Sequence, residues 1–172
     1  MRILIFVGLL IATIATPASA APPTGFAEFA WGTNPAVFRQ QFMPTKCRGV
    51  TESRRFWYTL QCQDYRVEGL NIVLLRLDFE PSDSLAGYYM LLGRGSYRTF
   101  RDLVIQRFGK PTAQTSPLFS GRQMWWTWPG ISATLLEKCG EDYSCIEVTT
   151  SAIERRREQL REHEKRDAMQ SF

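Results

Sequence analysis

The sequence predicts an α+β fold in which an antiparallel sheet carries two short helices packed on one side. Two segments with helix-start signals, near residues 35 and 96, are each followed by stretches in which apolar and polar side chains alternate with a period of two. The helix–strands arrangement is therefore expected twice. Residues 153–172 are rich in both charges and predict an additional charged C-terminal helix.

The first 20 residues have the three parts of a secretory signal peptide. Met1-Arg2 is a positive start, residues 3–14 are uncharged and largely apolar, and residues 17–20 contain an Ala-x-Ala cleavage signal. The apolar stretch would span about 18 Å as a helix, short of the roughly 30 Å of a bilayer core. We expect a signal peptide at 1–20, a single α+β domain at 21–152, a charged helical tail at 153–172, and a periplasmic or secreted protein.

Cysteines outside the cytosol tend to pair, and the chain has four of them: Cys47, Cys62, Cys139 and Cys145. Four cysteines allow three connectivities. The stretch between the last two has the composition of a hairpin tip, and the first two bracket another segment with strand character. We therefore predict the sequence-local disulfides Cys47–Cys62 and Cys139–Cys145. A metal site is the competing interpretation, but no C-x-x-C spacing occurs and the single histidine, His163, lies in the charged tail, so no metal is expected. No cofactor is expected either.

The first half opens with a helix and continues as strands. Asn34 is a favoured N-cap and Pro35 suits the first helical turn, so a helix is expected from Pro35 to about Phe42, with Pro44 ending it. Alternation over residues 56–61 and 71–79 predicts two strands. A turn at 80–84 should return the chain as a third strand over 86–92.

The second half repeats that order. Ser96 is expected to cap a helix whose apolar residues recur at helical spacing: Tyr97, Phe100, Leu103, Val104 and Phe108. Gly109 and Pro111 should end it. Strands are predicted over 123–128, 131–137 and 144–150.

The charged tail contains six positive and five negative residues. Glu158 with Arg161, and Glu162 with Arg166, offer helical ion pairs worth about 0.2–0.5 kcal/mol each. Only Ile153 and Leu160 share an apolar stripe. A solvated helix is the favoured interpretation, and a helix that docks on a partner is the alternative.

Residues for common catalytic chemistries are scarce. The single histidine, His163, lies in the tail, so catalysis by a Ser-His-Asp or Cys-His arrangement is not expected, and no catalytic residue is assigned. Hydrolysis by two carboxylates needs only two acids across a cleft. Four acids lie near one β region and keep that alternative open: Glu68, Asp78, Glu80 and Asp83.

A candidate anion site precedes the second helix, in the motif Gly93-Arg94-Gly95-Ser96. Backbone N–H groups at the start of a helix, together with a guanidinium and a hydroxyl, suit an anion. The simpler interpretation is a tight strand-to-helix turn.

Three tryptophans share one predicted strand. Trp126 and Trp128 should lie on one face and Trp125 on the other. Because Arg54 and Arg55 belong to a basic stretch, we name Trp125, Arg54 and Arg55 as a candidate contact surface for a protein or carbohydrate.

Two motifs, Trp31-Gly32-Thr33-Asn34-Pro35 and Arg107-Phe108-Gly109-Lys110-Pro111, resemble motifs of small exported bacterial proteins. The order of elements is also similar to that of BamE/SmpA-type envelope proteins. That resemblance implies a small α+β module that works by protein contact.

These observations predict an exported, non-catalytic binding module that acts through protein contacts in the cell envelope or outside the cell. An inhibitor of an extracellular enzyme is the alternative, and a small carboxylate-dependent hydrolase a further one. The net charge of +4 is small and its charges are interspersed, so a protein partner is expected and nucleic acid is not. No stable membrane span is expected after signal cleavage.

Overall fold

The computed structural model describes residues 21–54, 57–67, 70–117, 121–140 and 142–170. The predicted signal peptide lies outside this range. The described chain begins with a small hairpin of two strands, β1 (Gly25–Phe26) and β2 (Phe29–Ala30). Phe26 and Phe29 are both buried, so the hairpin packs its aromatic side chains against the core of the protein.

The first helical segment begins as predicted but is longer. Asn34 accepts a hydrogen bond from the N–H of Ala36, and α1 spans Pro35–Val37. The chain continues through a π-helical turn, Phe38–Phe42, into α2 (Met43–Lys46). The expectation that Pro44 ends the helix is wrong. In the wider turn the N–H of Met43 donates to Phe38, and Pro44 falls in the first turn of α2, where its missing N–H costs no helical hydrogen bond.

A single eight-stranded antiparallel sheet forms the centre of the protein, in the order β3-β4-β5-β6-β10-β9-β8-β7. Its strands are β3 (Gly49–Ser53), β4 (Tyr58–Val67), β5 (Leu70–Phe79), β6 (Leu85–Leu92), β7 (Ala113–Thr115), β8 (Gln123–Trp128), β9 (Ile131–Leu136) and β10 (Ser144–Thr150). The α+β class and the antiparallel sheet are confirmed. The edge strand β7 was not predicted, because three exposed residues show no alternation.

The two halves of the chain have the same order, a helical segment followed by four strands. Each half folds as an antiparallel meander, and the halves meet where β6 pairs with β10. Residues Gly87 to Leu92 of β6 face Thr149 to Ser144 of β10. The last strand of each half therefore lies at the centre of the sheet, and the first strand of each lies at an edge.

The two faces of the sheet differ in composition. On the core face, α1, α2 and α3 (Tyr97–Phe108) cover buried side chains that include Leu60, Leu77 and Ile146. Aromatic rings connect these layers, with Phe38 5.8 Å from Phe79 and Phe108 6.0 Å from Trp126 between ring centroids. The other face, here called the outer face, carries alternating residues such as Gln61, Arg76 and Thr134.

The ends of α3 are held by tertiary contacts. Ser96 is the N-cap residue, but its hydroxyl makes no bond to the helix and instead accepts one from the N–H of Asn71 at 3.1 Å. The expectation that Ser96 caps with its side chain is therefore wrong, because β5 competes for the same oxygen. At the other end the N–H of Gly109 donates to Ile105, and Trp126 Nε1 donates to the Gly109 carbonyl at 2.9 Å.

The charged tail forms α4 (Ser151–Gln170), which begins directly after β10 and contacts the outer face. Ile153 is buried, Leu160 is half-buried, and 161–169 are exposed. The first part of the tail is thus anchored on the sheet, while the remainder is the solvated helix that the charge pattern favours.

Two cysteine pairs lie at disulfide distance, in the predicted connectivity. The Cα atoms of Cys47 and Cys62 are 5.3 Å apart, and those of Cys139 and Cys145 are 5.9 Å apart. The first pair ties the end of α2 to β4, and the second closes the β9–β10 connection. No free cysteine occurs in the described chain.

Candidate binding cleft

A cleft of about 530 Å³ opens on the core face between α3 and the β1–β2 hairpin. This volume lies within the roughly 300–1,000 Å³ of small-molecule sites. Its walls come from the hairpin, from the ends of β4 and β5, from the centre of the sheet and from one stripe of α3. The lining residues are mostly apolar and include Phe26, Val67, Leu70, Ile72, Met90 and Leu103.

The cleft follows from how α3 packs. Phe100, Val104 and Phe108 lie on one stripe of the helix and are buried against the sheet. Leu103 lies beside them and lines the cleft, yet 46% of its surface is exposed. In the sequence, Leu103 shares the helical spacing of these apolar neighbours. Its exposure shows that the hairpin and α3 do not close over this part of the core.

Four side chains with polar groups distinguish the cleft from a simple packing gap: Tyr65, Tyr88, Gln106 and Arg107. Arg107, one turn of helix beyond Leu103, is the single charged residue in the described lining. Tyr88, from β6, contributes its aromatic ring and hydroxyl. Burial raises the pKa of the Tyr88 hydroxyl, and the nearby charge of Arg107 opposes that rise. Arg107 has no ion pair within the described part of the chain, so its charge is available at the mouth.

The acids considered for carboxylate chemistry lie elsewhere. Asp78 is fully buried on the outer face, where Trp57 Nε1 donates to its Oδ1 at 3.0 Å and Arg76 donates to its Oδ2 at 3.1 and 3.2 Å. Glu80 and Asp83 belong to the β5–β6 turn, in which the N–H of Asp83 donates to Glu80. Glu68 lies outside the described residues. None of the three described acids lines the cleft, and both Asp78 oxygens are occupied.

The Gly93–Ser96 motif forms a strand-to-helix turn beside a shallow hollow. Gly93 packs against Asn71 so closely that a Cβ would lie 2.3 Å from its Nδ2, and Gly95 has a φ of +86°. Both glycines are thus explained by the turn. Arg94 forms an ion pair with Asp142, and Glu137 also lines the hollow. An anion would compete there with a carboxylate, and anion binding stays a prediction.

The fold does not bring Trp125 and Arg54 of the proposed contact surface close together. Trp125 is half-buried on the outer face of β8, opposite Thr134 of β9. Arg54 lies over the ring of Tyr58 in β4, at 4.6 Å from its centroid, and Tyr58 belongs to the core face. Four strands lie between β4 and β8, a separation of roughly 24 Å at about 4.8 Å per strand. Arg55 lies outside the described residues. Trp126 is buried and Trp128 partly buried, as their shared face predicted.

The residues with defined positions include no group of three or more His, Cys, Asp or Glu side chains that could hold a metal ion. Among the described helices, none is both long and apolar enough to cross a membrane.

The chain was compared with protein-family models, with curated proteins and with solved structures, and it matches none of them. Its resemblance to BamE/SmpA-type proteins therefore stays an expectation. Function has to be inferred from the geometry of the cleft and the faces of the sheet.

Sequence reasoning missed the cleft. Its residues come from separate segments of the chain: Tyr88 belongs to β6, whereas Arg107 lies near the end of α3. Neither residue has a sequence context that marks it as part of a binding site. The only available signal was the width of the apolar stripe on α3, which includes Leu103 beside Phe100 and Val104.

Proposed function

We propose that this chain is an exported, non-catalytic binding module that takes an apolar ligand in the cleft between α3 and the β1–β2 hairpin. The observation that carries this proposal is the cleft itself, whose lining is mostly apolar and open to solvent at Leu103. A pocket of this kind with few polar groups is the usual form of a ligand site. The two disulfides support export, since such bonds persist in oxidising compartments.

The absence of catalytic geometry in the cleft also supports binding. Among described residues, the lining contains neither a carboxylate nor a histidine, cysteine or serine. Side chains that bind without reacting, such as Met90 and Phe108, form its walls. The cleft therefore offers surface for burial, which contributes about 25 cal/mol per Å² of apolar area.

The proposal is tested with N-phenyl-1-naphthylamine, an uncharged dye whose fluorescence rises in apolar sites. We expect saturable binding to the parent protein at a single site. Leu103→Asp places a charge on the cleft wall and should weaken binding about tenfold, or about 1.4 kcal/mol. Val50→Asp is the matched control, because Val50 lies on β3 away from the cleft and has a similar exposure, 44% against 46% for Leu103.

An absence of saturable binding, or equal loss in the two variants, would overturn the proposal. Thermal melts of both variants show whether they are folded, so that a loss of binding is attributed to the cleft. Displacement of bound dye by dodecanol would add that the site accepts an aliphatic chain.

A second candidate function, contact with another protein, is favoured by the outer face. Leu74, Leu91 and Leu136 form a row across β5, β6 and β9, with Cys145 of β10 between the last two. All three leucines are half-buried, and Tyr89 and Trp125 lie in the adjacent row. Such an apolar row on a solvent-facing sheet is typical of an interaction surface.

This second function is tested by capture from the native envelope fraction. A partner that binds the parent and Leu103→Asp but not Leu91→Lys would assign the contact to the outer face. Loss of the partner with Leu103→Asp alone would assign it to the cleft instead. Capture that both variants leave unchanged would refute an interface at either place.

A further inference from the structure

We infer that the ligand of the cleft is an anionic single-chain amphiphile, an alkyl carboxylate whose chain lies along α3 and whose head is bound by Arg107. This inference rests on the proposed function and adds the chemical class of the ligand.

The helical wall of the cleft is long enough for an extended alkyl chain. Its helical wall runs from Phe100 to Phe108, eight residues along α3, or about 12 Å at 1.5 Å per residue. Phe26, Val67 and Leu70 also line the cleft and add ring and aliphatic surfaces to it. A volume of about 530 Å³ lined mostly by apolar side chains over that length has room for an alkyl chain.

The charge of the cleft fits an anion. Arg107 is the charged residue of the lining, is exposed, and has no carboxylate partner in the described structure. It differs in this from Arg94, which pairs with Asp142, and from Arg157, which pairs with Glu147. A guanidinium binds a carboxylate through two parallel hydrogen bonds, a geometry that an ammonium does not offer.

Tyr88 supplies a second polar contact. Its side chain lines the cleft and is 6% exposed, and no hydrogen bond to its hydroxyl is found within the described residues. A phenolic hydroxyl is a hydrogen-bond donor, so this group is able to donate to a bound carboxylate oxygen. Tyr88 and Arg107 both line the cleft, and the charge of Arg107 opposes the rise in the pKa of the Tyr88 hydroxyl.

A second charged group near the cleft, the carboxylate of Glu28, would favour a cationic ligand. Glu28, in the β1–β2 hairpin, acts on the Tyr65 hydroxyl and is exposed. Its side chain is not part of the lining, whereas that of Arg107 is. A cationic amphiphile is therefore the informative comparison, because it would bind best if Glu28 decided the preference.

The experiment measures displacement of the uncharged dye by two chains of equal length, dodecanoate and dodecyltrimethylammonium, both below their micelle concentrations. In the parent protein we expect dodecanoate to displace dye at about tenfold lower concentration, which corresponds to about 1.4 kcal/mol. Arg107→Gln should remove this preference, and Arg107→Lys should restore part of it. Arg98→Gln, an equal loss of charge at an exposed site of α3 outside the lining, should leave it unchanged.

The outcomes separate the two proposals. If the dye binds but both chains displace it equally, or if Arg98→Gln and Arg107→Gln have the same effect, the anionic ligand is refuted and the binding cleft stands. If the cation displaces dye better, Glu28 sets the polarity and the inference is wrong. If the dye itself does not bind, the proposed function fails with it.

Discussion

Arg157 of α4 and Glu147 of β10 form a two-point ion pair, with Nη1–Oε2 and Nη2–Oε1 distances of 3.1 and 2.6 Å. Arg76 also donates to Glu147, at 3.2 Å, and connects this pair to the buried Asp78. Burial alone would lower the pKa of Arg157, but its hydrogen bond to Glu147 and the charge of that carboxylate raise it overall. The second turn of α4 is thereby fixed on the outer face.

This pair predicts that the two halves of α4 contribute unequally to stability. Arg157→Ala removes both hydrogen bonds from a side chain that is 27% exposed, and should lower the free energy of unfolding by about 1 kcal/mol. Arg161→Ala removes a surface pair with Glu158 and should cost less than about 0.5 kcal/mol. Urea denaturation measures both, and equal midpoints for the two variants would contradict the anchoring of α4.

Asp78 is predicted to act in stability and not in catalysis. Its carboxylate is buried and bound by Trp57 and Arg76, so Asp78→Asn should cost about 3 kcal/mol by breaking a buried ion pair. Glu80→Gln, in the β5–β6 turn, should stay within about 0.5 kcal/mol of the parent. Urea midpoints measure the costs. A hydrolase screen in which Asp78→Asn stayed folded but lost turnover would instead support the carboxylate mechanism.

The two disulfides should differ in their contribution. The Cys47–Cys62 bond closes a sequence separation of 15 and contributes about 3 kcal/mol in the chain-entropy model, while the separation of 6 at Cys139–Cys145 gives about 2 kcal/mol. Cys62 is also fully buried, so its replacement by Ala leaves a gap in the core. The double Ala variant of the first pair should have the lower urea midpoint. Peptide mapping without reduction checks the connectivity, and any crossed peptide contradicts it.

The stability of the fold should fall at alkaline pH partly through Tyr88. Burial raises the pKa of its hydroxyl above the ordinary value near 10, so the unfolded chain loses this proton at a lower pH than the folded chain. The folded state then binds more protons, and stability decreases by about 1.4 kcal/mol per pH unit above pH 10 until the folded group ionises. Tyr88→Phe removes this contribution. Urea denaturation of both proteins at neutral and alkaline pH should show a smaller decrease in the variant, and equal decreases would refute it.

The anion hypothesis at Gly93–Ser96 has its own test. If Arg94 binds an anion, phosphate should raise the melting temperature more than chloride at matched ionic strength, and Arg94→Ala should abolish the difference. Because Asp142 pairs with Arg94, Asp142→Asn should enlarge it. Responses that are equal in the parent and both variants would leave the segment as a turn.

The predictable part of the fold is the part set by local patterns. The Asn34-Pro35 start, the end of α3 at Gly109 and the alternation in β5 each follow from a few neighbouring residues, and the short separations favoured the disulfides that the structure contains. The helical segment continues past Pro44 because of the π-helical turn before it. No residue pattern around Pro44 predicts that turn. The pairing of the Ser96 hydroxyl with Asn71 depends on a contact 25 residues away.

The candidate site was harder to predict because it is a relation between distant segments. Leu103 has the spacing of a core residue, and only the positions of the β1–β2 hairpin and α3 leave it exposed. Trp125 and Arg54 were grouped by their residue types, but the order of strands decides their separation, and that order follows from the pairing of β6 with β10.

The central position of β10 sets the order in which the chain is able to fold. β10, between β6 and β9, is the last of the described strands to be synthesised. It supplies Ile146 and Val148 to the middle of the core. In a nascent chain that stops before Ser144, β6 and β9 both lack β10, the strand with which each of them pairs. Folding thus has to wait for closure of a contact between strands more than 50 residues apart, which is slow. The junction between the two meanders is therefore completed only after β10 has been synthesised.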